Sequence, residues 1–158
     1  MKQGNIIFLK TAVFVIGTVI LGLCIFALPV LAKYSAEMNP EFAYLQYPVL
    51  IGLYLTAIPF YIALYQTLRL LNIIHEKNTF SEGTVKRLGF IKHCASMIIL
   101  LYLLGLVLLI AQNALHPGIA LIGLIVVFTS IIIRFFSSLI QVLLINALSQ
   151  KMENDLTI

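Results

Sequence analysis

Long apolar runs dominate the hydrophobic pattern of the chain. Charged side chains are absent from residues 11–31, 48–68 and 94–115, and residues 118–138 contain only Arg134. Each run has about 20 residues, the length at which an α-helix crosses a hydrocarbon core of about 30 Å. The runs lack the alternation of a membrane β-barrel. The pattern therefore predicts four transmembrane helices, and the first is expected to be retained because its apolar core exceeds the about 7–15 residues of a signal peptide.

The composition is consistent with lipid as the main solvent of the chain. Of 158 residues, 61% are hydrophobic and 10% are charged. A soluble domain is about 45–50% apolar and about 25% charged. The predicted fold class is therefore all-α, with residues 1–158 forming one integral membrane four-helix bundle.

Basic residues are distributed unequally between the two sides of the predicted membrane. Alternating helix ends assign Lys33 alone to one side, and to the other they assign Lys2, Lys10, Arg69, Lys77, Lys86, Arg87, Lys92, Arg134 and Lys151. The positive-inside rule then predicts that both termini lie in the cytoplasm, with a cytoplasmic loop over residues 72–92 and a cytoplasmic tail over residues 150–158. Because these cations serve as topology determinants and no nucleic-acid-binding motif is present, we expect no direct binding to nucleic acid.

Three of the predicted helices extend past their apolar runs on the cytoplasmic side. Ser81 is a good N-cap, and Phe80 and Val85 occupy the two positions of a hydrophobic staple, which predicts a third helix from Ser81 to about Gln112. The second helix is expected to continue from Pro48 to Ile74. The fourth is apolar to Ser149, well past its span. We predict a short cytoplasmic helical stub whose apolar stripes pack together, leave a docking surface, or do both.

The first helix is predicted from about Asn5 to Leu31, followed by an external loop from Lys33 to Tyr47. Pro59 interrupts the second helix and is followed by Tyr61 and Tyr65. An interior proline can shape a cavity or a hinge, although prolines in membrane helices are also commonly structural.

No catalytic or metal-binding pattern is present. The four runs contain no Asp or Glu, whereas proton-coupled transport places an acid near mid-membrane. His75 and His93 are assigned to one side of the membrane and His116 to the other, so they cannot share a metal ion. No HExxH, phosphate loop or dinucleotide motif occurs. We expect a protein that is not an enzyme and needs no cofactor or metal.

Several segments resemble a known family. They are residues 8–10, 56–61, 63–66, 80–81 and 153–158, which read FLK, TAIPFY, ALYQ, FS and ENDLTI. They are similar to the YoaS-like family of four-helix bacterial membrane proteins, a domain of unknown function (family 2975). The resemblance implies a bacterial cytoplasmic membrane protein with no assigned activity. It also implies a link to a small helix-turn-helix transcription regulator, because genes of this family commonly lie beside one for such a regulator.

The leading hypothesis is a membrane protein that binds, sequesters or signals to such a regulator. The residues predicted to dock the partner, as parts of the stub and tail, are Arg69, Phe80, Ser81, Lys86, Arg87, Arg134, Glu153, Asp155 and Leu156. The alternative is a small-molecule transporter or a membrane stress or immunity factor, with a cavity or hinge at Pro59, Tyr61 and Tyr65. A third hypothesis, a structural subunit or homo-oligomer, depends on the small residues Thr18 and Gly22.

Overall fold

Helices account for almost all of residues 3–76 and 81–156, which are the residues that the computed structural model describes. The elements are α1 (Gln3–Gly22), a π-helical turn (Leu23–Ala27), α2 (Leu28–Met38), a 3-10 helix (Pro40–Leu45), α3 (Gln46–His75), α4 (Glu82–Ala111) and α5 (Pro117–Leu156). Four segments are long and apolar enough to cross a membrane, namely Gly4–Met38, Pro40–His75, Glu82–Ala111 and Pro117–Leu156. The prediction of an all-α fold with four candidate spans is confirmed.

The segment between the first two spans differs from the prediction. Residues 33–38, expected to begin an external loop, belong to α2, and residues 40–47 are helical as well. The hydropathy of the chain falls from Lys33 onward, which marks the end of the apolar run. The helix nevertheless continues, because the Ala, Lys, Glu and Met residues of this segment have high helix propensity without any contact with lipid. The helix ends only at Asn39, whose φ of −129° and ψ of 75° lie outside the α region, which the following proline disfavours.

The start of α4 agrees with the sequence. Ser81 has an extended backbone, and its hydroxyl oxygen accepts a hydrogen bond from the backbone N–H of Thr84. This is the N-cap geometry that satisfies one otherwise unpaired N–H of the first turn. Phe80, which was predicted to form a hydrophobic staple with Val85, lies outside the described residues. Since α3 ends at His75, most of the predicted loop 72–92 is helical.

A tight turn joins α4 to α5. The N–H of Ala114 donates to the carbonyl of Leu109, and the N–H of Asn113 donates to the carbonyl of Ile110. These two bonds form a Schellman motif. Asn113 has a φ of 55°, a left-handed conformation that asparagine adopts more readily than most residues. The turn makes α4 and α5 an antiparallel hairpin.

The helix α5 has 40 residues and ends at Leu156. Residues 150–156, predicted as part of a cytoplasmic tail, therefore form the last turns of α5. Gln150, Lys151, Met152 and Glu153 are all good helix formers. Thr157 and Ile158 lie outside the described residues.

The helices form an open row in chain order. The extensive contacts join α1 and α2 to α3, α3 to α4, and α4 to α5, and no comparable contact links α1 to α5 in the described part of the chain. Much of the tightest packing lies at one end of the row, where α3 ends and α4 begins; we call this the Ser81 end. Buried residues in that region are Ile6, Leu71, Thr84, Leu88, Ile91, Cys94, Ala95 and Leu144. The predicted stripe of α4 is thus buried at Leu88 and Ile91.

Candidate functional site

A groove opens at the Ser81 end between the first turn of α4 and about the last three turns of α5. We call it the α4–α5 groove. Its volume is about 620 Å³, and its lining residues are Glu82, Val85, Ile145, Leu148, Ser149, Met152, Glu153 and Leu156. Five of these residues are apolar and two are acidic. Met152 and Leu156 are 62% and 86% exposed, so the groove offers apolar side chains that nothing in the described chain covers.

Two contacts set the spacing of the helices beside this groove. The side-chain Nε2 of Gln141 donates to the backbone carbonyl of Val85 at 3.2 Å. One turn further along α4, a Cβ added to Gly89 would lie 3.1 Å from that same Nε2. The absence of a side chain at Gly89 therefore lets Gln141 reach the backbone of α4, and the glycine and the glutamine together hold α5 against the start of α4.

Charge at the groove is acidic. Glu82 lies in the first turn of α4, where a carboxylate stabilises the positive end of the helix dipole. Glu153 lines the opposite wall, and Asp155 follows two residues later on an exposed turn of α5. An acidic rim around an apolar floor is complementary to a basic amphipathic segment.

The structure brings only some of the predicted docking residues to this groove. Glu153 and Leu156 line it. Ser81 caps the helix that forms one wall, and Asp155 is adjacent to the other. Phe80 lies outside the described residues.

The four predicted basic docking residues lie elsewhere. A terminal nitrogen of Arg87 donates to Oε1 of Gln66 at 2.7 Å, which links α4 to α3. Nε of Arg134 donates to Oγ of Ser96 at 2.7 Å, which links α5 to α4. Lys86 lies over the ring of Phe90. Arg69 donates to the hydroxyl of Tyr65. These four residues therefore form contacts within the bundle rather than one docking patch.

A second groove runs between α1 and α3, and we call it the α1–α3 groove. It has a volume of about 550 Å³, and its lining residues are Leu21, Cys24, Ile25, Tyr54, Ala57, Ile58, Tyr61, Ile62 and Tyr65. The sequence prediction named Pro59, Tyr61 and Tyr65 as a cavity or hinge. The structure places Tyr61 and Tyr65 in the lining, whereas Pro59 is buried inside a continuous α3.

Tyrosine hydroxyls join α1 to α3 along the α1–α3 groove. Tyr61 donates to the carbonyl of Gly17 at 2.7 Å, and Tyr54 donates to the carbonyl of Cys24 at 2.7 Å. Sequence analysis did not identify Tyr54. The carbonyl of Cys24 can accept this bond for two reasons. The N–H of Leu28 donates to the carbonyl of Leu23, and Pro29 has no N–H to donate. A proline inside the first predicted span is the only sequence signal for this bond.

The described residues contain no cluster of the side chains that most often hold a metal ion. Within residues 3–76 and 81–156, no three His, Cys, Asp or Glu side chains lie close enough to share a metal ion. Both cysteines, Cys24 and Cys94, are free thiols.

Four apolar helices of membrane-spanning length, with two grooves between neighbouring helices, define a small multi-pass membrane protein. The sequence profile of a family described as "Protein of unknown function (DUF2975)" matches residues 30–158. The chain is also 46% identical over 160 residues to "Uncharacterized membrane protein YoaS" of Bacillus subtilis (strain 168), covering 100% of both chains. The chain belongs to this DUF2975 family of bacterial membrane proteins. No solved structure matches it significantly.

Proposed function

We propose that this protein is a non-enzymatic membrane receptor whose cytoplasmic stub docks a small helix-turn-helix transcription regulator in the α4–α5 groove. Both termini lie in the cytoplasm in this proposal, because nine of the ten Lys and Arg residues then fall on the cytoplasmic side. The observation that carries the proposal is the α4–α5 groove itself, with five apolar lining residues and two acids.

Helix length supports a groove outside the bilayer. At about 1.5 Å per residue, the 40 residues of α5 extend about 60 Å, against a hydrocarbon core of about 30 Å. The lining residues begin at Ile145, 28 residues after Pro117. A helix that enters the bilayer near Pro117 has therefore left it before the α4–α5 groove begins.

The chemistry of the α4–α5 groove suits a DNA-binding module. Helix-turn-helix proteins carry basic residues on the helices that approach DNA phosphates. A basic amphipathic helix can place its apolar face against Leu148 and Met152 and its cations beside Glu82 and Glu153. Because the same cations bind phosphate, docking would compete with DNA and hold the regulator at the membrane.

The test is reconstitution of the full-length protein, in nanodiscs, with a purified small helix-turn-helix regulator encoded beside its gene. The variant Met152→Arg places a cation in the groove and should abolish binding. The matched control, Gln150→Arg, adds the same cation to an exposed turn of α5 outside the lining and should bind normally. Operator DNA should displace the regulator from the unmodified protein. Equal binding by both variants, or no competition with DNA, would refute docking in the α4–α5 groove.

The α1–α3 groove favours a second function, the transport or neutralisation of a small apolar compound. It opens sideways between two helices rather than across the bundle, and its lining is almost entirely apolar. This hypothesis predicts that cellular protection survives Met152→Arg and is lost with Ala57→Phe, which fills the α1–α3 groove. Loss of protection with Met152→Arg instead would favour the receptor.

A further inference from the structure

Two cations follow the α1–α3 groove toward the Ser81 end, Lys10 on α1 and Arg69 on α3. Neither is a lining residue, because the lining ends at Leu21 on α1 and at Tyr65 on α3. α1 and α3 run antiparallel, with Gly17 opposite Tyr61 and Cys24 opposite Tyr54. Extending this pairing by seven residues places Lys10 level with Leu68 and Arg69. Lys10, Gly17 and Cys24 are separated by seven residues each, or about two helical turns, so Lys10 lies on the face of α1 that meets α3.

Arg69 belongs to the same face of α3 as the lining of the α1–α3 groove. Tyr54, Ile58, Tyr61, Tyr65 and Arg69 follow one another at intervals of three or four residues. Nε of Arg69 donates to the hydroxyl of Tyr65 at 3.0 Å, and the guanidinium lies 5.5 Å from the centre of the tyrosine ring. Tyr65 therefore orients the guanidinium beside the mouth of the groove.

These two cations have no acidic partner in the described structure. Across residues 3–76 and 81–156, no Asp or Glu side chain forms an ion pair with Lys10 or Arg69. The terminal nitrogens of Arg69 likewise have no acceptor in this part of the chain. A positively charged mouth on an apolar groove inside a membrane is complementary to a lipid with an anionic headgroup.

We propose that the α1–α3 groove binds an anionic phospholipid of the inner leaflet, with its phosphate between Lys10 and Arg69 and one acyl chain along Tyr61 and Ile58. The dimensions agree: from Arg69 to Ile58 is 11 residues, about 16 Å along α3, close to the half-thickness of a hydrocarbon core of about 30 Å. Arginine donates to phosphate oxygens through the nitrogens that remain after the bond to Tyr65. The lateral opening suits a ligand that stays partly in the bilayer.

This proposal does not depend on the regulator. The experiment is native mass spectrometry of the full-length protein in detergent, titrated separately with phosphatidylglycerol and with phosphatidylcholine of the same acyl chains. Each cation near a membrane surface contributes about fivefold to anionic lipid binding, so phosphatidylglycerol should bind about 25-fold more tightly than phosphatidylcholine. Arg69→Gln and Lys10→Gln should each lower phosphatidylglycerol affinity about fivefold and leave phosphatidylcholine unchanged.

The controls separate this site from general electrostatic attraction and from other ligands. Lys33→Gln removes one exposed cation from the opposite end of the bundle and should leave the lipid preference intact. Equal loss with Lys33→Gln and Arg69→Gln, or equal binding of the two lipids, would overturn the proposal. Diacylglycerol binding as tightly as phosphatidylglycerol would assign the groove to uncharged apolar compounds instead. Binding of glycerol 3-phosphate at the affinity of phosphatidylglycerol would assign it to a soluble phosphate compound.

Discussion

The hydroxyl of Tyr54 donates a 2.7 Å hydrogen bond to the backbone carbonyl of Cys24, inside the π-helical turn of the first helical segment. In a regular α-helix that carbonyl would accept from Leu28, but the N–H of Leu28 donates to Leu23 instead. The donor that a π-helix would offer is residue 29, a proline without an N–H. Tyr54 therefore satisfies a backbone acceptor that the helix itself leaves open, in a part of the chain where no water is available.

Replacing Tyr54 with phenylalanine should destabilise the protein by about 1–2 kcal/mol, because the carbonyl of Cys24 then has no donor. Thermal unfolding in detergent measures the effect. Tyr47→Phe, at a 67% exposed tyrosine, is the matched control and should change little. The double variant Tyr54→Phe with Pro29→Ala should recover part of the loss, since an alanine supplies the missing N–H. Simple additivity of the two substitutions would contradict this account.

Removing the cap of α4 should loosen one wall of the α4–α5 groove. Ser81→Ala leaves the N–H of Thr84 without its side-chain acceptor and should cost about 0.5–2 kcal/mol. Hydrogen exchange of residues 82–88 should accelerate, with α5 beyond the groove unaffected. Ser81→Asp keeps an acceptor at the N-cap and should behave like the unmodified protein, and fast exchange in that variant would disprove the capping role.

Gly123 of α5 packs closely against Leu106 of α4, not far from the turn that joins the two helices. A Cβ added there would lie 3.0 Å from Cδ2 of Leu106, so Gly123→Ala should cost about 1 kcal/mol or more through overpacking. An added Cβ at Gly105 meets nothing within 4 Å, so Gly105→Ala should be neutral or stabilising by up to about 1 kcal/mol. Thermal unfolding of the two variants side by side tests this contrast. Equal stability of Gly123→Ala and Gly105→Ala would contradict the close packing of α4 and α5 at Gly123.

The proposed orientation predicts opposite accessibility at two exposed positions. In a background carrying Cys24→Ala and Cys94→Ala, Lys33→Cys should react with a membrane-impermeant maleimide on intact cells. Glu82→Cys should react only after the cells are permeabilised, because the positive-inside rule places the start of α4 in the cytoplasm. The reverse labelling pattern would invert the topology and move the α4–α5 groove outside the cell.

Local signals in the sequence predicted what depends on a few neighbouring residues. The four spans follow from uninterrupted apolar runs, and the start of α4 follows from Ser81 as a cap. The last part of α2, residues 33–38, was missed because hydropathy marks where lipid ends, whereas a helix continues until a residue such as Asn39 before Pro40 stops it. The ordered end of α5 was missed for the same reason.

The two grooves could not be predicted because they depend on how neighbouring helices are rotated and spaced. The partnership of Tyr54 with Cys24 joins residues 30 positions apart, and that of Gln141 with Val85 joins residues 56 apart. Each pair joins two different helices, and no periodicity in a single sequence identifies which residues of two helices will meet. Glu153 and Leu156 were identified from the resemblance and from charge, but Glu82, Leu148 and Met152 became visible only when α4 and α5 were placed side by side.

The open row also bears on how the protein is made. Because each helix makes its extensive contacts with its neighbours in the chain, every new hairpin can pack as soon as it enters the membrane during synthesis. No step requires the last helix to find the first, so no long loop closure slows assembly. The two outer edges of the row, α1 and α5, each make extensive contacts with one neighbouring span in the described part of the chain, so each leaves one side open to lipid or to another membrane protein.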